Sequence, residues 1–125
     1  RIMQVIESET ATAFIVRDKK IVNMYSKSRT KDGWYVVEKF NFKLIYETIE
    51  EEKGRYLIDW ESMDNYNHYG IPDWKSVCIT PVICNGEILA VIYLSVSVNK
   101  REFTLNDYNL LNCFTEIGVS IFERL

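Results

Sequence analysis

"VCITPVICNGEILAVIYLSV", Val77 to Val96, is the stretch whose reading decides the fold. Two apolar runs meet at Asn85-Gly86, and Asn-Gly between apolar strands is a strong signal for a two-residue type I′ hairpin turn. With these two residues as the loop, Cys84 is expected to pair with Glu87, and the remaining register follows by counting. Ile83 then pairs with Ile88, Pro81 with Ala90, Ile79 with Ile92 and Val77 with Leu94, all on one side of the sheet. Val82 pairs with Leu89, Thr80 with Val91 and Cys78 with Tyr93 on the other side. The first side is wholly apolar and is expected to lie beneath the helix that ends the chain. The second mixes apolar residues with Cys78, Thr80, Tyr93, Ser95 and Ser97. Both sides are apolar enough to need covering. A slip of one residue would exchange the faces.

Working outward, "TATAFIVRD" reads as a strand, Asp18-Lys19-Lys20 as a turn and "KIVNMYSKS" as the returning strand. "RIMQVIESE" reads as the last turns of a helix, with Ile2, Val5 and Ile6 on one face. The spacing of Phe42, Ile45 and Ile49 predicts a helix from Phe42 to Lys53, with Asn41 as N-cap and Gly54 as the C-terminal signal. "RYLIDW" is a short strand. Glu61 to Lys75, "ESMDNYNHYGIPDWK", has no period, and a connection of that length is often functional. After the hairpin, Thr104-Leu105-Asn106-Asp107 is a near capping box opening a long helix from about Thr104. The order (α)ββαβββα implies an α+β domain: a mainly antiparallel sheet of about five to six strands with helices on both faces.

Composition agrees with one globular domain over residues 1–125: 47% hydrophobic and 26% charged residues, net charge −3. No basic stripe points to nucleic acid or an anionic membrane. No apolar run approaches the roughly 20 residues of a membrane span. Cys78 and Cys84 would sit roughly 20 Å apart on one strand, beyond disulfide reach, and with Cys113 they are read as reduced thiols in a cytoplasmic setting. The chain opens at Arg1 without a signal peptide and is expected to be a domain cut from a longer protein.

The mixed side of the hairpin is expected to be the site. The helix from Phe42 and the connection from Glu61 are its candidate covers, and a concave, mostly apolar space with a few polar groups is the usual form of a small-molecule pocket. Cys78, Thr80, Tyr93 and Ser95 would line it from the sheet. Trp60, Tyr66, Tyr69 and Trp74 would stack on a planar ligand, and His68 would hydrogen-bond to it. The competing reading is a filled second core, in which Tyr93 and Thr80 bond to backbone and the aromatic rings plug the space. No catalytic residue and no metal site is assigned, because no Cys or His pair has ligand spacing.

From Thr10 to Leu125 the chain resembles a GAF domain. Pro81-Val82, Gly86, Ala90-Val91-Ile92-Tyr93-Leu94, Phe103-Thr104 with Asp107, and the final helix carry the resemblance. Ala90 stands where the family commonly has Gly. The resemblance implies a cytoplasmic, non-enzymatic sensor domain of a bacterial signalling protein, of the broad GAF/PAS type, in two-component or cyclic-nucleotide signalling. It would bind a small molecule (a cyclic nucleotide, purine, amino acid or organic acid) on the sheet face opposite the terminal helices, and pass the change to an output domain. The alternative is a dimerisation scaffold with a filled pocket; a cysteine-based free methionine sulfoxide reductase is a distant third. Asn99, Lys100, Phe103 and Asp107 also resemble the cyclic-nucleotide form of the family, in which Lys100 and Asp107 would pair. A plain strand exit and capped helix is the preferred reading.

The final helix carries two apolar stripes. Leu111, Gly118, Phe122 and Leu125 form one, and Leu110, Phe114, Ile117 and Ile121, spaced four, three and four, form the other. One stripe can pack on the sheet, so the second is expected to form a homodimer interface.

Overall fold

The computed structural model describes Ile6, Ser8 and residues 10–28, 40–59, 75–97 and 101–123. Its elements are β1 (Thr10–Arg17), β2 (Lys20–Ser28), α1 (Phe42–Glu51), β3 (Arg55–Asp59), β4 (Lys75–Cys84), β5 (Glu87–Ser97) and α2 (Leu105–Glu123). Among the described residues the five strands form one sheet in the order β2-β1-β5-β4-β3, and every neighbouring pair is antiparallel. The fold is therefore the expected α+β arrangement.

Turn chemistry fixes both hairpins. Asp18 and Lys19 have φ of 53° and 64°, and Asn85 and Gly86 have 54° and 76°. Positive φ at both central residues is the type I′ geometry, whose twist matches that of paired strands. Lys19 does a second job from its turn. Its ammonium donates to the Ile49 carbonyl at 3.3 Å, where a cation suits the carbonyl end of α1.

The α1 N-cap is as expected, since the Asn41 side chain accepts from the Leu44 N–H at 3.0 Å. Two details differ. The helix turns its face so that Leu44, Ile45, Thr48 and Ile49 are buried while Phe42 is largely exposed. It also ends earlier, at Glu51, with Glu52 in the left-handed conformation and its N–H bonded to the Thr48 carbonyl. Gly54 is not the cap. It lies flush on β4, where a Cβ would strike the Ile79 carbonyl, stand 2.8 Å from the Tyr108 ring and 2.9 Å from the Thr80 Cα.

The hairpin register contains the main correction. Cys84 pairs with Glu87 and Ile83 with Ile88, but Val82 then pairs with Ala90, leaving Leu89 as an extra residue on β5. This β-bulge puts two residues of one strand against one of the other and shifts all later pairs by one. Pro81 pairs with Val91, Thr80 with Ile92, Ile79 with Tyr93, Cys78 with Leu94 and Val77 with Ser95. Counting from the turn was therefore right for two pairs and wrong beyond them. Cys78 and Thr80 share a face with Ile92 and Leu94, not with Tyr93 and Ser95.

Two cores result. On the α1 face, Phe14, Val16, Val77, Ile79, Ile88, Val91 and Tyr93 pack beneath Leu44, Ile45 and Ile49. On the α2 face, Cys78, Leu94 and Val96 pack with Ile6, Phe103 and Leu111. Pro81 also finds its reason here. β3 pairs with β4 only as far as Ile79, whose carbonyl points to that side. Strand alternation turns the Pro81 nitrogen to the same, now unpaired edge, where a missing N–H costs no ladder bond.

Candidate functional site

On the α1 face the middle of the sheet is closed by three rings. Phe14 and Phe40 meet edge to face at 5.0 Å, Phe40 and Tyr93 at 5.3 Å, and Phe14 and Tyr93 at 6.2 Å. Such T-shaped contacts are the favoured aromatic geometry. Tyr93 is fully buried, and its hydroxyl accepts from the Asn41 N–H at 3.3 Å, tying β5 to the start of α1.

Toward one end of that face the side chains turn polar. Thr10 and Thr12 on β1 share it with Ser95 on β5 and Ser26 on β2, through the pairs Thr10–Ser95, Thr12–Tyr93 and Thr12–Ser26. The Thr10 and Ser95 hydroxyls bond to each other, and Thr12 Oγ1 lies 2.7 Å from Ser26 Oγ. Thr10, Thr12 and Ser95 are all buried. Two residues before β1 in the sequence, the Ser8 hydroxyl is buried and has no hydrogen-bond partner. A buried polar atom without a partner is costly and uncommon. Ser28, the last residue of β2, and Lys75, the first of β4, lie at this same end.

The expected site residues therefore separate. Tyr93 and Ser95 lie on the face opposite α2. Cys78 and Thr80 lie under α2, for the bulge reason given above. Cys78 is fully buried, and burial, reinforced by the nearby Asp107 carboxylate and partly offset by Arg101, pushes its thiol up to about 12. Thr80 Oγ1 donates to Asn112 Oδ1 of α2 at 2.6 Å. Trp60, Tyr66, His68, Tyr69 and Trp74 fall outside the described residues. Thr10, Thr12 and Ser26 were missed in the sequence, although the alternation Thr10-Ala11-Thr12-Ala13 placed two hydroxyls on one face.

The joint into α2 is a capped helix start. The Thr104 N–H donates to Asp107 Oδ2 at 2.8 Å and the Asp107 N–H to Thr104 Oγ1 at 3.3 Å, the reciprocal capping box. Asp107 pairs with Arg101, whose guanidinium sits 5.3 Å over the Phe103 ring. Lys100, the partner in the cyclic-nucleotide form, lies outside the described residues. On α2, Leu111 is buried, while Leu110 and Phe114 are half-buried against the domain's own core. The side chains of Ile117 and Ile121 are outside the described set. Among the described residues no three His, Cys, Asp or Glu side chains gather to hold a metal. No helix there is long and apolar enough to cross a membrane.

Superposed on solved structures, the chain matches the GAF domain/HD domain protein of Geobacter sulfurreducens with TM-score 0.66, over 99% of this chain and 88% of that one, at 8% identity. The chain has a GAF-like fold. A second GAF-like match is the photoproduct state of GAF3 from a Synechocystis sp. PCC6803 protein, with TM-score 0.60 at 9% identity, covering 98% of this chain and 87% of that one. No protein-family model and no curated protein matches the sequence. At such identities the GAF-like likeness is one of fold.

Proposed function

We propose that this chain is a non-enzymatic regulatory sensor domain that binds a small polar molecule at the hydroxyl-lined end of the α1 face and signals through α2. The fold shared with GAF domains supports a sensor role in general. The observation that carries the small-molecule reading is the buried hydroxyl row Thr10, Thr12 and Ser95, with a buried, unpartnered Ser8 hydroxyl two residues before it in the sequence. A ligand with its own donors and acceptors would satisfy that end, as pockets commonly use a few fixed polar groups on an apolar floor. Binding would shift α2 only through unequal affinity for two arrangements of the domain. Cys78 is not suited to be the nucleophile of a thiol enzyme, since a reactive cysteine needs a lowered pKa and access, and Cys78 has neither.

Denaturing freshly purified protein and analysing the released small molecules by mass spectrometry tests the proposal. A stoichiometric compound, absent from the Thr12→Val variant, is expected. The second reading, a scaffold with a filled pocket, is favoured by the Phe14–Phe40–Tyr93 packing and predicts no compound from either protein. Both readings take the chain as a homodimer through α2, in a cytoplasmic signalling protein with an output domain. Replacing Ile117 and Ile121 with Glu should give monomers in sedimentation, and an unchanged profile would remove that interface.

A further inference from the structure

We propose that the groove between the α1–β3 turn, β4 and α2 is a second small-molecule site, suited to a zwitterion of the α-amino-acid kind. The groove has a volume of about 450 Å³, within the usual range for ligand sites. It lies on the opposite side of the sheet from the hydroxyl row and stands independently of it.

One wall is a stripe on α2. Tyr108, Asn112 and Glu116 follow one another at intervals of four, which places them on one helical face about 6 Å apart along the axis. Lys53 and Gly54 form the facing wall, and Thr80 lies between the walls. Gly54 makes the groove possible, because its lack of a Cβ lets the turn lie flat on β4 with the Tyr108 ring against it. Tyr56 backs that ring at 6.0 Å.

The polar groups are unevenly used. Thr80 Oγ1 donates to Asn112 Oδ1, which turns the amide oxygen to the sheet and leaves both Nδ2 hydrogens without a partner among the described residues. Among the described residues the Tyr108 hydroxyl also has no hydrogen-bond partner. Lys53 and Glu116 are both exposed, and neither is in an ion pair among the described residues. Glu52, the other acidic lining residue, is already met by Lys19 at 3.4 Å. The groove thus presents three donors that no described protein group pairs, one of them cationic, together with one unpaired carboxylate on the α2 wall. Lys53 and Glu116 do not reach each other across it. A ligand carboxylate fits the donors Lys53, Asn112 and Tyr108, a ligand ammonium fits Glu116, and one molecule carrying both would bridge the walls. Its occupancy would tie α2 to the α1–β3 turn.

The test is a titration of the ¹⁵N-labelled 125-residue chain with individual L-α-amino acids, followed by amide shifts. At least one should give saturable changes at Gly54, Thr115 and the Asn112 side-chain amide. Its affinity should fall about tenfold in Lys53→Gln and again in Asn112→Leu, as expected for loss of a charge-assisted or buried hydrogen bond. The matching amine and the matching carboxylic acid should each bind more weakly than the zwitterion. Lys53 is exposed, so its variant keeps the fold, and the same spectra report that directly. No saturable change with any amino acid would overturn the site. So would unchanged affinity in Lys53→Gln, equal binding of the amine or the acid, or shifts confined to Thr10, Thr12 and Ser95.

Discussion

The two faces of the sheet solve the same covering problem differently. The α1 face is closed at its centre by interlocked rings and becomes polar only at one end, where hydroxyls pair with each other. The α2 face is covered over β4 by the terminal helix, with its polar groove on one flank. On the other flank an apolar groove of about 420 Å³ runs over Ala11, Ala13, Val82 and Ile92, walled by Phe114 and Tyr25. The closed face thus concentrates stability in its centre, and the half-covered face leaves surface available for contacts. In the sensor reading, the first face recognises and the second transmits.

The largest expected effect breaks the closed face. Phe14 is fully buried and touches both Phe40 and Tyr93, so Phe14→Ala should cost about 4 kcal/mol in urea unfolding. A cost under about 1 kcal/mol would mean that the ring cluster is not a packed core. On the other face, Gly54→Ala forces a methyl toward the Ile79 carbonyl and the Tyr108 ring, and should cost about 3 kcal/mol by overpacking. A neutral result would show that the turn does not lie flush on β4. A third effect is a pH dependence, confined to alkaline solution. The Cys78 thiol would titrate near 9.0 in the unfolded chain and is held protonated to about 12 in the folded one. Stability from its burial is therefore fully present below pH 9.0 and is lost as pH rises from 9.0 toward about 12. Cys78→Ala should flatten that decline relative to the parent protein. In the parent, Cys113, which is exposed, should react with a thiol reagent long before Cys78 does.

Much of this architecture was legible because local chemistry and tertiary structure agree. Asn85-Gly86, Asn41 and the Thr104–Asp107 box each specify their own turn or cap within a few residues, and the structure uses all three. The faces of β4 were not legible, because the extra residue Leu89 carries no local mark. It is one more aliphatic residue in an aliphatic run, and only the packing of both faces decides where the strand absorbs it. That single residue moved Cys78 and Thr80 from the expected pocket to the underside of α2. Gly54 misled for a related reason: glycine after a helix commonly marks a left-handed cap, yet here Glu52 takes that conformation and Gly54 serves a close approach. The hydroxyl row on β1 was half-visible in the alternation from Thr10, and its partners Ser26 and Ser95 could be joined to it only through the sheet order.

The most direct test of the sensor reading is a thermal-shift screen of the purified chain, and of its Thr12→Val and Lys53→Gln variants, against cyclic nucleotides, purines, amino acids and organic acids. A ligand at a hundredfold over its dissociation constant adds about 2.7 kcal/mol, which should raise the melting temperature by about ten degrees in a domain of this size. At least one selective shift is expected, abolished in Thr12→Val and intact in Lys53→Gln. Absence of any such shift, on protein whose denatured extract contains no bound compound, would contradict the sensor reading and leave the filled scaffold as the function of the α1 face.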